Sequence, residues 1–591
     1  MPRKPTVLAL ARNVGGYYHG ELLAGLVRPV AAAGGRVVVA GTLEPGTDGV
    51  ATLTAPDFKL PVAWDEVDAV VSIALASAGG YLERAQAEGK AVVLASHSLA
   101  DFDGPIAQPD NHGGVRNAVE HLIAHGHTRI GFVGSTDQHD YRERHAAYME
   151  TVAAHGLPCG DDLFFAATSY AKSGGMAAAA AFLASTNRPT ALMCATDPNA
   201  LGLMEVVMEA GVAVPEDLAI IGFDDEEDSA FSVPSLTSVG QRFDEVGALA
   251  GRLALSIVAG EDLAAGAYTA DAAFLTVRAS CGCRTDLVDE RADREPRPVP
   301  VRREELRADV NTMLQTLLGE SHDARAGSSV TRAVDLLDQM LADPTEPGGD
   351  VVHAFVRELS ALTPGTEMLQ RVAAVLNGYA QRVAIGDTRQ AGAARAIATL
   401  WELEARGYLH RSRRLDGSVL ERDAVAGGLV RASGARTRSL AWLTNTHVRA
   451  AVLALWHGPA GGGLRVEGVH DPGGILDVEV GSDTQVRSFP PTALMDAADG
   501  AVGEICIVVP VASAEQELGL LAMIGKIDTT SIRETYHHWA EMLCRALEGE
   551  ALQNAVRASE ERYAFAVQAA NDGLWERDVA TNETYSLPAL P

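Results

Sequence analysis

The sequence predicts an α/β fold for the first half of the chain and an α+β arrangement for part of the second. Short, continuous apolar runs recur over the first 280 residues, and such runs are typical of strands buried on both faces of a parallel sheet. Amphipathic helical patterns lie between them, as the crossover connections of parallel strands require. At 591 residues the chain is too long for one core, so we expect about three or four domains. The apolar runs lie at residues 6–10, 36–40, 69–73, 91–95, 129–133, 191–195 and 218–222.

The composition is that of a folded, acidic chain. Hydrophobic residues make up 47% and charged residues 21%, a balance typical of folded domains rather than disordered ones. With 78 acidic against 48 basic residues, the formal net charge is −30. A DNA duplex would repel this charge without a strong basic patch, and the richest cluster, Arg411, Arg413 and Arg414, is too small for that. We therefore expect the chain not to bind DNA directly.

The sequence contains no pattern for membrane insertion or secretion. No uninterrupted apolar run reaches the about 18 residues of a membrane-spanning helix. The first residues lack the apolar stretch and the small-residue cleavage site of a signal peptide. Six cysteines spread over 591 residues form no disulfide framework. We therefore predict a cytoplasmic protein without membrane contact.

Polar residues directly after the predicted strands are the first candidates for ligand contact, because the loops at the carboxyl ends of parallel strands form the binding crevice. Several ordered motifs lie in this part of the chain. Together they resemble the effector-binding half of the lac repressor family, over roughly 280 residues. The motifs are DNHGG at 110–114, GHTRI at 126–130, ATDPNALG at 195–202, GFDD at 222–225 and PSLTSVGQ at 234–241.

The resemblance implies a fold and a binding mode for residues 1–285. That half of the family has a bilobal, periplasmic-binding-protein-like class I fold, with three crossover strands and a ligand held in the cleft. The implied ligand is a sugar, a nucleoside or a similar small molecule, and the implied assembly is a homodimer. The family reads DNA through an N-terminal helix-turn-helix. Here the first strand begins at Thr6, so we expect this DNA-binding head to be missing.

The resemblance also transfers ligand contacts, residue by residue. Arg144 lies where the family places an arginine that opens a helix, and its planar guanidinium suits a pair of sugar hydroxyls or a carboxylate. Asp224 ends a strand at the cleft edge, Gln241 follows on the return towards the hinge, and Asn111 is a further candidate. We expect Arg144→Ala to abolish ligand-induced thermal stabilisation while leaving the fold intact.

Four further candidates each allow a structural explanation. Asp197 follows a buried strand and could accept a ligand hydroxyl or cap the next helix. Thr196 occupies a position where many members of the family have asparagine. Tyr18 and His19 follow the first strand and either stack on a ligand or pack at the surface.

Two histidines and two cysteines raise the question of a metal. His121 and His125 are four residues apart on a predicted helix, which is the spacing of metal ligands. No carboxylate or cysteine completes a set with them, and Gly126 indicates a helix end instead. Cys281 and Cys283 are closer together than a zinc knuckle needs, and no second pair lies nearby. We therefore predict no metal site.

The second half of the sequence predicts a linker, a helical region and a sheet. Residues 286–303 are charged and contain three prolines, which predicts a linker. Residues 304–430 have apolar positions at helical spacing and predict a helical bundle or paired helices. Residues 431–530 predict an antiparallel sheet flanked by helices, an architecture similar to a GAF-type sensory domain. Its strand patterns lie at 448–456, 464–470, 504–511 and 518–527.

A long helical pattern runs over residues 531–570, and the stretch 531–558 has near-heptad apolar spacing and charged flanks, as in a signalling coiled coil. Residues 559–591 resemble the first helix and strand of a PAS domain, which we expect to be incomplete. Chains with this order of parts commonly continue into GGDEF or EAL domains that make or break cyclic di-GMP. Neither motif occurs here.

Two functions agree with these segments. The leading hypothesis is a cytoplasmic sensor, in which ligand closes the two lobes and the helices relay this to a C-terminal output of the cyclic di-GMP type. The alternative is a transcriptional regulator of the lac repressor type, acting on DNA directly or through a partner. No P-loop, GxSxG, HExxH or paired CxxC motif occurs, so we predict neither an enzyme nor a cofactor.

Overall fold

The chain folds into two compact units. The first comprises Met1–Ala107, Phe243–Tyr268 and Val419–Pro591, and the second comprises Gln108–Arg242 and Thr269–Ser418. A computed structural model describes residues 4–44, 56–74, 79–99, 101–137, 139–270, 273–283, 331–339, 351, 354–355, 358, 419–431, 435–458, 463–513, 515–529, 535–569, 575–577 and 584–586.

Several predicted segments lie wholly or largely outside the described residues. The predicted linker at 286–303 is one of them, and most of the predicted helical region at 304–430 is another. Within that region residues 331–339 are helical, inside a helix predicted at 329–341, and residues 419–431 are helical as well. The PAS-like segment contributes the end of one helix and two short strands.

The helices and strands are numbered in chain order. The strands are β1 Thr6–Ala11, β2 Arg36–Gly41, β3 Ala69–Ile73, β4 Ala91–Ala95, β5 Pro105–Gln108, β6 Ile130–Gly134, β7 Phe164–Ala166, β8 Ala191–Cys194, β9 Ala219–Asp224, β10 Thr237–Gly240, β11 Gly266–Thr269, β12 Phe274–Thr276, β13 Ala450–His457, β14 Gly463–His470, β15 Asp483–Gln485, β16 Glu504–Ala512, β17 Glu517–Lys526, β18 Trp575–Arg577 and β19 Thr584–Ser586. The helices are α1 Tyr17–Ala32, α2 Gly79–Ala87, α3 Asn111–Ala124, α4 His139–Ala154, α5 Lys172–Ala184, α6 Asp197–Glu209, α7 Glu227–Phe231, α8 Phe243–Val258, α9 Ala435–Arg438, α10 Thr492–Ala497 and α11 Thr535–Ala569.

The second unit is built on a six-stranded sheet in the order β12-β10-β9-β8-β6-β7. All neighbours in it are parallel except β12, which runs antiparallel to β10. Ile220 and Ile221 of β9 belong to two different apolar cores, because successive side chains of a strand point to opposite faces. The apolar runs predicted as doubly buried strands at 129–133, 191–195 and 218–222 coincide with β6, β8 and β9. The α/β prediction is therefore confirmed in this unit.

Within residues 1–285 the chain passes from one unit to the other three times, between residues 107 and 108, 242 and 243, and 268 and 269. This is the number of crossovers that the family resemblance implies.

The first unit contains one continuous sheet of 11 strands, in the order β11-β5-β4-β3-β1-β2-β16-β17-β13-β14-β15. The neighbours from β5 to β2 are parallel, as the apolar runs of the first hundred residues predict. The neighbours from β16 to β15 are antiparallel, which confirms the antiparallel sheet predicted in the second half. The likeness of this part to a GAF-type domain stays a prediction.

Strand β2 joins the two parts of this sheet by pairing in parallel with β16. Val38 lies opposite Cys506, and Ala40 lies opposite Val508. All four side chains belong to one buried apolar cluster, which also contains Trp64. The sequence predicts residues 431–530 as a separate domain, because pairing between strands hundreds of residues apart leaves no local pattern. In the structure these strands continue the sheet of the first residues and share its core.

A buried arginine adds polar contacts at this junction. Arg36, 9% exposed, lies 2.8 Å from a carboxylate oxygen of Asp496 and 2.8 Å from one of Glu66. Its Nε also donates to Oγ1 of Thr6 at 2.9 Å. Lys4 contacts the same Asp496 at 3.2 Å, but this pair is exposed to solvent. Arg36 therefore connects β2 to the C-terminal part of the first unit.

Helix α11 is one helix of 35 residues, as the long helical pattern predicts. Trp539, Leu543 and Leu547 in its first half are buried, and the helix packs on β16. In the second half of the helix, Leu552 and Val556 are 68% and 50% exposed. The coiled coil predicted for this helix stays a prediction. In the part of the chain that the structure describes, no helix is both long and apolar enough to cross a bilayer.

Candidate functional site

The candidate site is a set of polar side chains at the carboxyl ends of the parallel strands in the second unit. Gly240 of β10 pairs with Asp224 of β9, so Asp224 and the following Gln241 lie side by side. Arg144 comes from α4, and Asn111 is the first residue of α3. We refer to Asn111, Glu143, Arg144, Asp224 and Gln241 as the polar cluster.

Arg144 lies at the centre of the polar cluster. It is only 4% exposed, and its guanidinium carbon lies 3.9 Å from the centroid of the Phe223 ring. Nε donates to Oδ1 of Asn111 at 3.0 Å, and Nη1 donates to the carbonyl oxygen of Ala195 at 2.6 Å. Nη1 also lies 3.3 Å from Oδ1 of Asp224. These contacts fix the orientation of the guanidinium plane. A fixed plane allows several N–H groups of the arginine to donate to one ligand at the same time.

Asp224 has an unusual backbone and an unusual acidity. Its φ is 108° and that of Asp225 is 54°, both in the region that residues other than glycine rarely adopt. Such conformations cost about 1–3 kcal/mol and cluster at functional sites. Burial raises the pKa of Asp224 to about 6, although the charge of Arg144 opposes this rise.

Gln241 has one oxygen available for a ligand. Its Nε2 donates to Oδ1 of Asp224 at 2.5 Å. Its Oε1 is buried and has no hydrogen-bond partner among the described residues, and a buried acceptor of this kind costs free energy until a donor reaches it. The polar cluster therefore presents a buried acceptor beside a fixed cation.

Glu143 belongs to the polar cluster, although it was not among the residues predicted from the sequence. Its Oε2 accepts a hydrogen bond from Nδ2 of Asn111 at 2.8 Å, while Oδ1 of the same amide accepts from Arg144. Asn111 is thereby fixed from both sides. The available signal was the position of Glu143 directly before the predicted ligand arginine.

Thr196 and Asp197 lie next to the polar cluster but are engaged in internal hydrogen bonds. The cap of α6 is Thr196, and not Asp197 as one prediction had it: Oγ1 of Thr196 accepts a backbone N–H of the first turn at 3.2 Å. Asp197 is fully buried, and its carboxylate accepts from the hydroxyls of Ser238 at 2.6 Å and Ser229 at 2.7 Å. Burial raises the pKa of Asp197 well above its usual value. Both side chains therefore support the loops around the cluster.

Asp225, the residue after Asp224, forms a second buried ion pair, which was not predicted from the sequence. Oδ1 of Asp225 lies 2.7 Å from Nη2 of Arg278, and its Oδ2 accepts from the hydroxyl of Thr276 at 2.8 Å. Asp225 and Arg278 are 53 positions apart in the chain, so this pair leaves no local sequence signal. It fixes the strained turn that carries Asp224.

Tyr18 and His19 belong to the first unit. The hydroxyl of Tyr18 donates to Oγ of Ser96 at 2.8 Å, and its ring meets that of Phe243 edge to face at 4.8 Å. The ring of His19 lies 5.0 Å from that of Tyr18. Both side chains are half-buried, and their predicted contact with a ligand stays a prediction.

A second group of reactive side chains in the second unit lies at the far end of α3. Nε2 of His121 lies 3.4 Å from Sγ of Cys281 and 3.5 Å from Sγ of Cys283. Nε2 of His125 lies 3.1 Å from Sγ of Cys283. The expectation that no cysteine completes a set with the two histidines is wrong, because residues 281–283 fold back against the helix. We refer to His121, His125, Cys281 and Cys283 as the His–Cys cluster.

Residues 119–281 match the periplasmic binding protein-like domain family. This range includes strands β6 to β10 and three members of the polar cluster, Arg144, Asp224 and Gln241. The match covers the described α/β sheet of the second unit, so the fold implied by the sequence resemblance is supported here.

Three curated proteins are similar to parts of the chain. The HTH-type transcriptional regulator MalR of Streptomyces coelicolor is 31% identical over 189 residues, 30% of this chain and 52% of its own. Catabolite control protein A of Priestia megaterium is 30% identical over 190 residues, 32% of this chain and 57% of its own. The ribose operon repressor of Escherichia coli K12 is 33% identical over 151 residues, 25% of this chain and 46% of its own.

The chain spans about half the length of these curated relatives. Their names describe an HTH-type transcriptional regulator, a catabolite control protein and an operon repressor. The expectation that this chain does not bind DNA directly therefore finds no support among them. The chain contains a periplasmic-binding-protein-like domain similar to the effector-binding domain of lac-repressor-type regulators.

Proposed function

We propose that the chain is a small-molecule-responsive regulator of transcription whose effector binds at the polar cluster. The observation that carries this proposal is the buried Arg144 guanidinium, held 3.3 Å from Asp224 at the ends of the strands. In parallel sheets this edge is the usual place for a ligand. The matched domain contains both residues, and the relatives with that similarity are named as regulators.

A sugar-type ligand fits the chemistry of the polar cluster. A sugar hydroxyl donates one hydrogen bond and accepts others. Oε1 of Gln241 and the carboxylate of Asp224 can accept from such a hydroxyl, and the guanidinium of Arg144 can donate to it. Adjacent hydroxyls on one ring match a planar guanidinium beside a carboxylate. The name of the ribose operon repressor makes D-ribose the first ligand to test, and nucleosides are the second class.

Regulation of transcription is the better supported of the two outputs. A cyclic di-GMP output rests only on the order of the predicted segments, whereas one relative is named as a transcriptional regulator and another as an operon repressor. One structural feature favours a further relay towards the C-terminal residues. Because β2 pairs with β16 inside one core, a shift of the first-unit sheet on effector binding would displace residues 504–512 as well. A cytoplasmic homodimer is the corresponding assembly.

The test uses the full chain and two readouts. Melting temperatures are measured with D-ribose, D-glucose, maltose and adenosine, and we expect at least one of them to raise the melting temperature, as ligand binding to the native state must. Genomic DNA fragments are then incubated with the chain at moderate salt, and the bound fragments are sequenced with and without that ligand. We expect a small set of fragments whose recovery changes with the ligand.

The two readouts separate the two parts of the proposal. Stabilisation by a sugar together with unselective or absent DNA recovery would contradict direct control of transcription and favour an output through a partner. Absence of stabilisation by every sugar and nucleoside tested, at millimolar concentration, would contradict the sugar-type effector.

A further inference from the structure

We propose that the His–Cys cluster is a zinc site, with Nε2 of His121, Nε2 of His125, Sγ of Cys281 and Sγ of Cys283 as its four ligands. These atoms come from two segments about 160 residues apart in the chain, which are brought together by the fold. Neither the polar cluster nor the proposed regulation of transcription uses any of them.

Three distances between histidine nitrogens and cysteine sulfurs in the cluster are close to those of tetrahedral coordination, and Cys281 reaches the group through His121. With Zn–N bonds of about 2.0–2.1 Å and Zn–S bonds of about 2.3 Å, a tetrahedral angle places N and S about 3.6 Å apart. The three N–S distances of the cluster are 3.4 Å, 3.5 Å and 3.1 Å. The donor atoms of His121, His125 and Cys283 all lie within 4.8 Å of one another. An ion at their centre needs only small side-chain movements.

The backbone conformations of α3 and of residues 281–283 bring the four side chains towards one another. His121 lies in the last turn of α3 and His125 is its C-terminal cap, so the two imidazoles follow one another along one face, with ring centroids 4.6 Å apart. Gly282 lies between the two cysteines and has a φ of 90°, a conformation that favours glycine. This turn lets both sulfurs reach the helix.

Groups around the ligands favour a bound cation over a plain thiol pair. The hydroxyl of Thr237 accepts from the N–H of Arg278 at 2.8 Å, so its proton is directed to Sγ of Cys281, 3.1 Å away. A sulfur that accepts such a bond is suited to the thiolate form that coordinates metals. Cys281 is 1% exposed, whereas His125 lies at the surface, so the cluster has a buried base and an open entrance.

The donor set selects the metal class. Two imidazoles and two thiolates with four ligands in all are typical of closed, structural zinc sites rather than catalytic ones, which keep one position open. Calcium and magnesium prefer oxygen ligands, which this set does not contain. The site would fix residues 281–283, which follow β12, to the end of α3, while the other end of the same helix carries Asn111 of the polar cluster.

Metal content tests the proposal in the full chain. The reduced protein is incubated with zinc sulfate, desalted and analysed by mass spectrometry for zinc per chain, and cobalt substitution reports thiolate ligands through its charge-transfer absorption. We expect one zinc per chain in the wild type, and loss of this zinc in Cys283→Ser and in His125→Ala. Cys159→Ser and His112→Ala are the matched controls, because Cys159 is exposed in the same unit and His112 lies on the same helix.

Thermal unfolding provides a second measurement that does not depend on metal analysis. A chelator should lower the melting temperature of the zinc-loaded wild type and leave that of Cys283→Ser unchanged, because metal that binds the native state stabilises it. A wild type that retains no zinc overturns the proposal. So does zinc content that Cys283→Ser and His125→Ala leave at the wild-type level, or a cobalt spectrum without thiolate absorption.

Discussion

Nη1 of Arg144 lies 3.3 Å from Oδ1 of Asp224, and the two side chains meet where strand β9 ends. Arg144 is buried, and Asp224 has a left-handed backbone and a raised pKa. A charged pair in a strained, largely desolvated position costs free energy. A ligand that completes the hydrogen bonds of the pair can partly offset this cost. The pair is therefore the element of the second unit on which both stability and the proposed binding depend.

Loss of the arginine should destabilise the second unit itself. Arg144→Ala leaves Asp224 and Asn111 without their buried partner, and we expect a fall of about 3–5 kcal/mol in the free energy of unfolding. The variant is therefore expected to fold but to be less stable than the wild type. Arg142→Ala, at an exposed position of the same helix, should change it by less than about 1 kcal/mol. Urea denaturation checks both values, and equal effects of the two variants would contradict the role of the buried pair.

The acidity of Asp224 predicts a pH dependence of stability. Its pKa is raised to about 6 in the folded protein and has its ordinary value near 4 in the unfolded chain, so the folded state binds more protons between these values. The stability that Asp224 contributes should therefore fall as pH rises from about 4 to about 6, and stay level above that. The difference in unfolding free energy between the wild type and Asp224→Asn, measured across this range, isolates the effect. A difference that rises with pH would contradict it.

Two neighbouring residues should differ strongly in their structural importance. Thr196→Ala removes a helix cap and should cost about 1 kcal/mol of stability. Asp197→Ala removes a fully buried acceptor and leaves the hydroxyls of Ser229 and Ser238 without it, so we expect a loss of several kcal/mol, about 3 or more. Thermal and urea unfolding in the absence of any ligand measure both. If Asp197→Ala were as stable as the wild type, ligand binding would be the better explanation for a buried carboxylate at this position.

At the junction of β2 with β16, two cationic side chains contact the carboxylate of Asp496, and we expect their removal to change the free energy of unfolding by different amounts. Arg36→Ala leaves Asp496 and Glu66 without a buried partner and should destabilise the first unit by about 3 kcal/mol. Lys4→Ala removes only an exposed contact to Asp496 and should cost less than about 1 kcal/mol. Hydrogen exchange should show that the amides of Val38 and Val508 lose protection together in Arg36→Ala. Loss of protection at Val508 alone would contradict one shared core.

The sequence was informative where the signal is local. Apolar runs predicted β6, β8 and β9, and the ordered motifs indicated Asp224 at a strand end and Gln241 shortly after the next one. The family resemblance indicated Arg144 on a helix, and the structure brings all three together with Asn111. These predictions depend on patterns within about ten residues, which the periodicity of buried strands determines.

The sequence was uninformative where the contact joins distant segments. The pairing of β2 with β16, the ion pair of Asp225 with Arg278 and the approach of Cys283 to His125 all depend on tertiary packing. The expectation that no cysteine lies near His121 and His125 was wrong for the same reason, since each half of the His–Cys cluster is incomplete when judged from its own segment. Glu143 was missed because its only signal was its position next to Arg144, and a helical glutamate is otherwise typical of an exposed helix face.

Calorimetric titration with the sugar that raises the melting temperature most tests the central claim directly. The wild type is compared with Asp224→Asn, and with Asp162→Asn as the control, since Asp162 forms an exposed ion pair in the same unit. Loss of a hydrogen bond to a charged group costs about 1.5–3 kcal/mol, so we predict that Asp224→Asn binds at least about tenfold more weakly while Asp162→Asn binds like the wild type. Wild-type affinity in a folded Asp224→Asn variant would contradict ligand binding at the polar cluster.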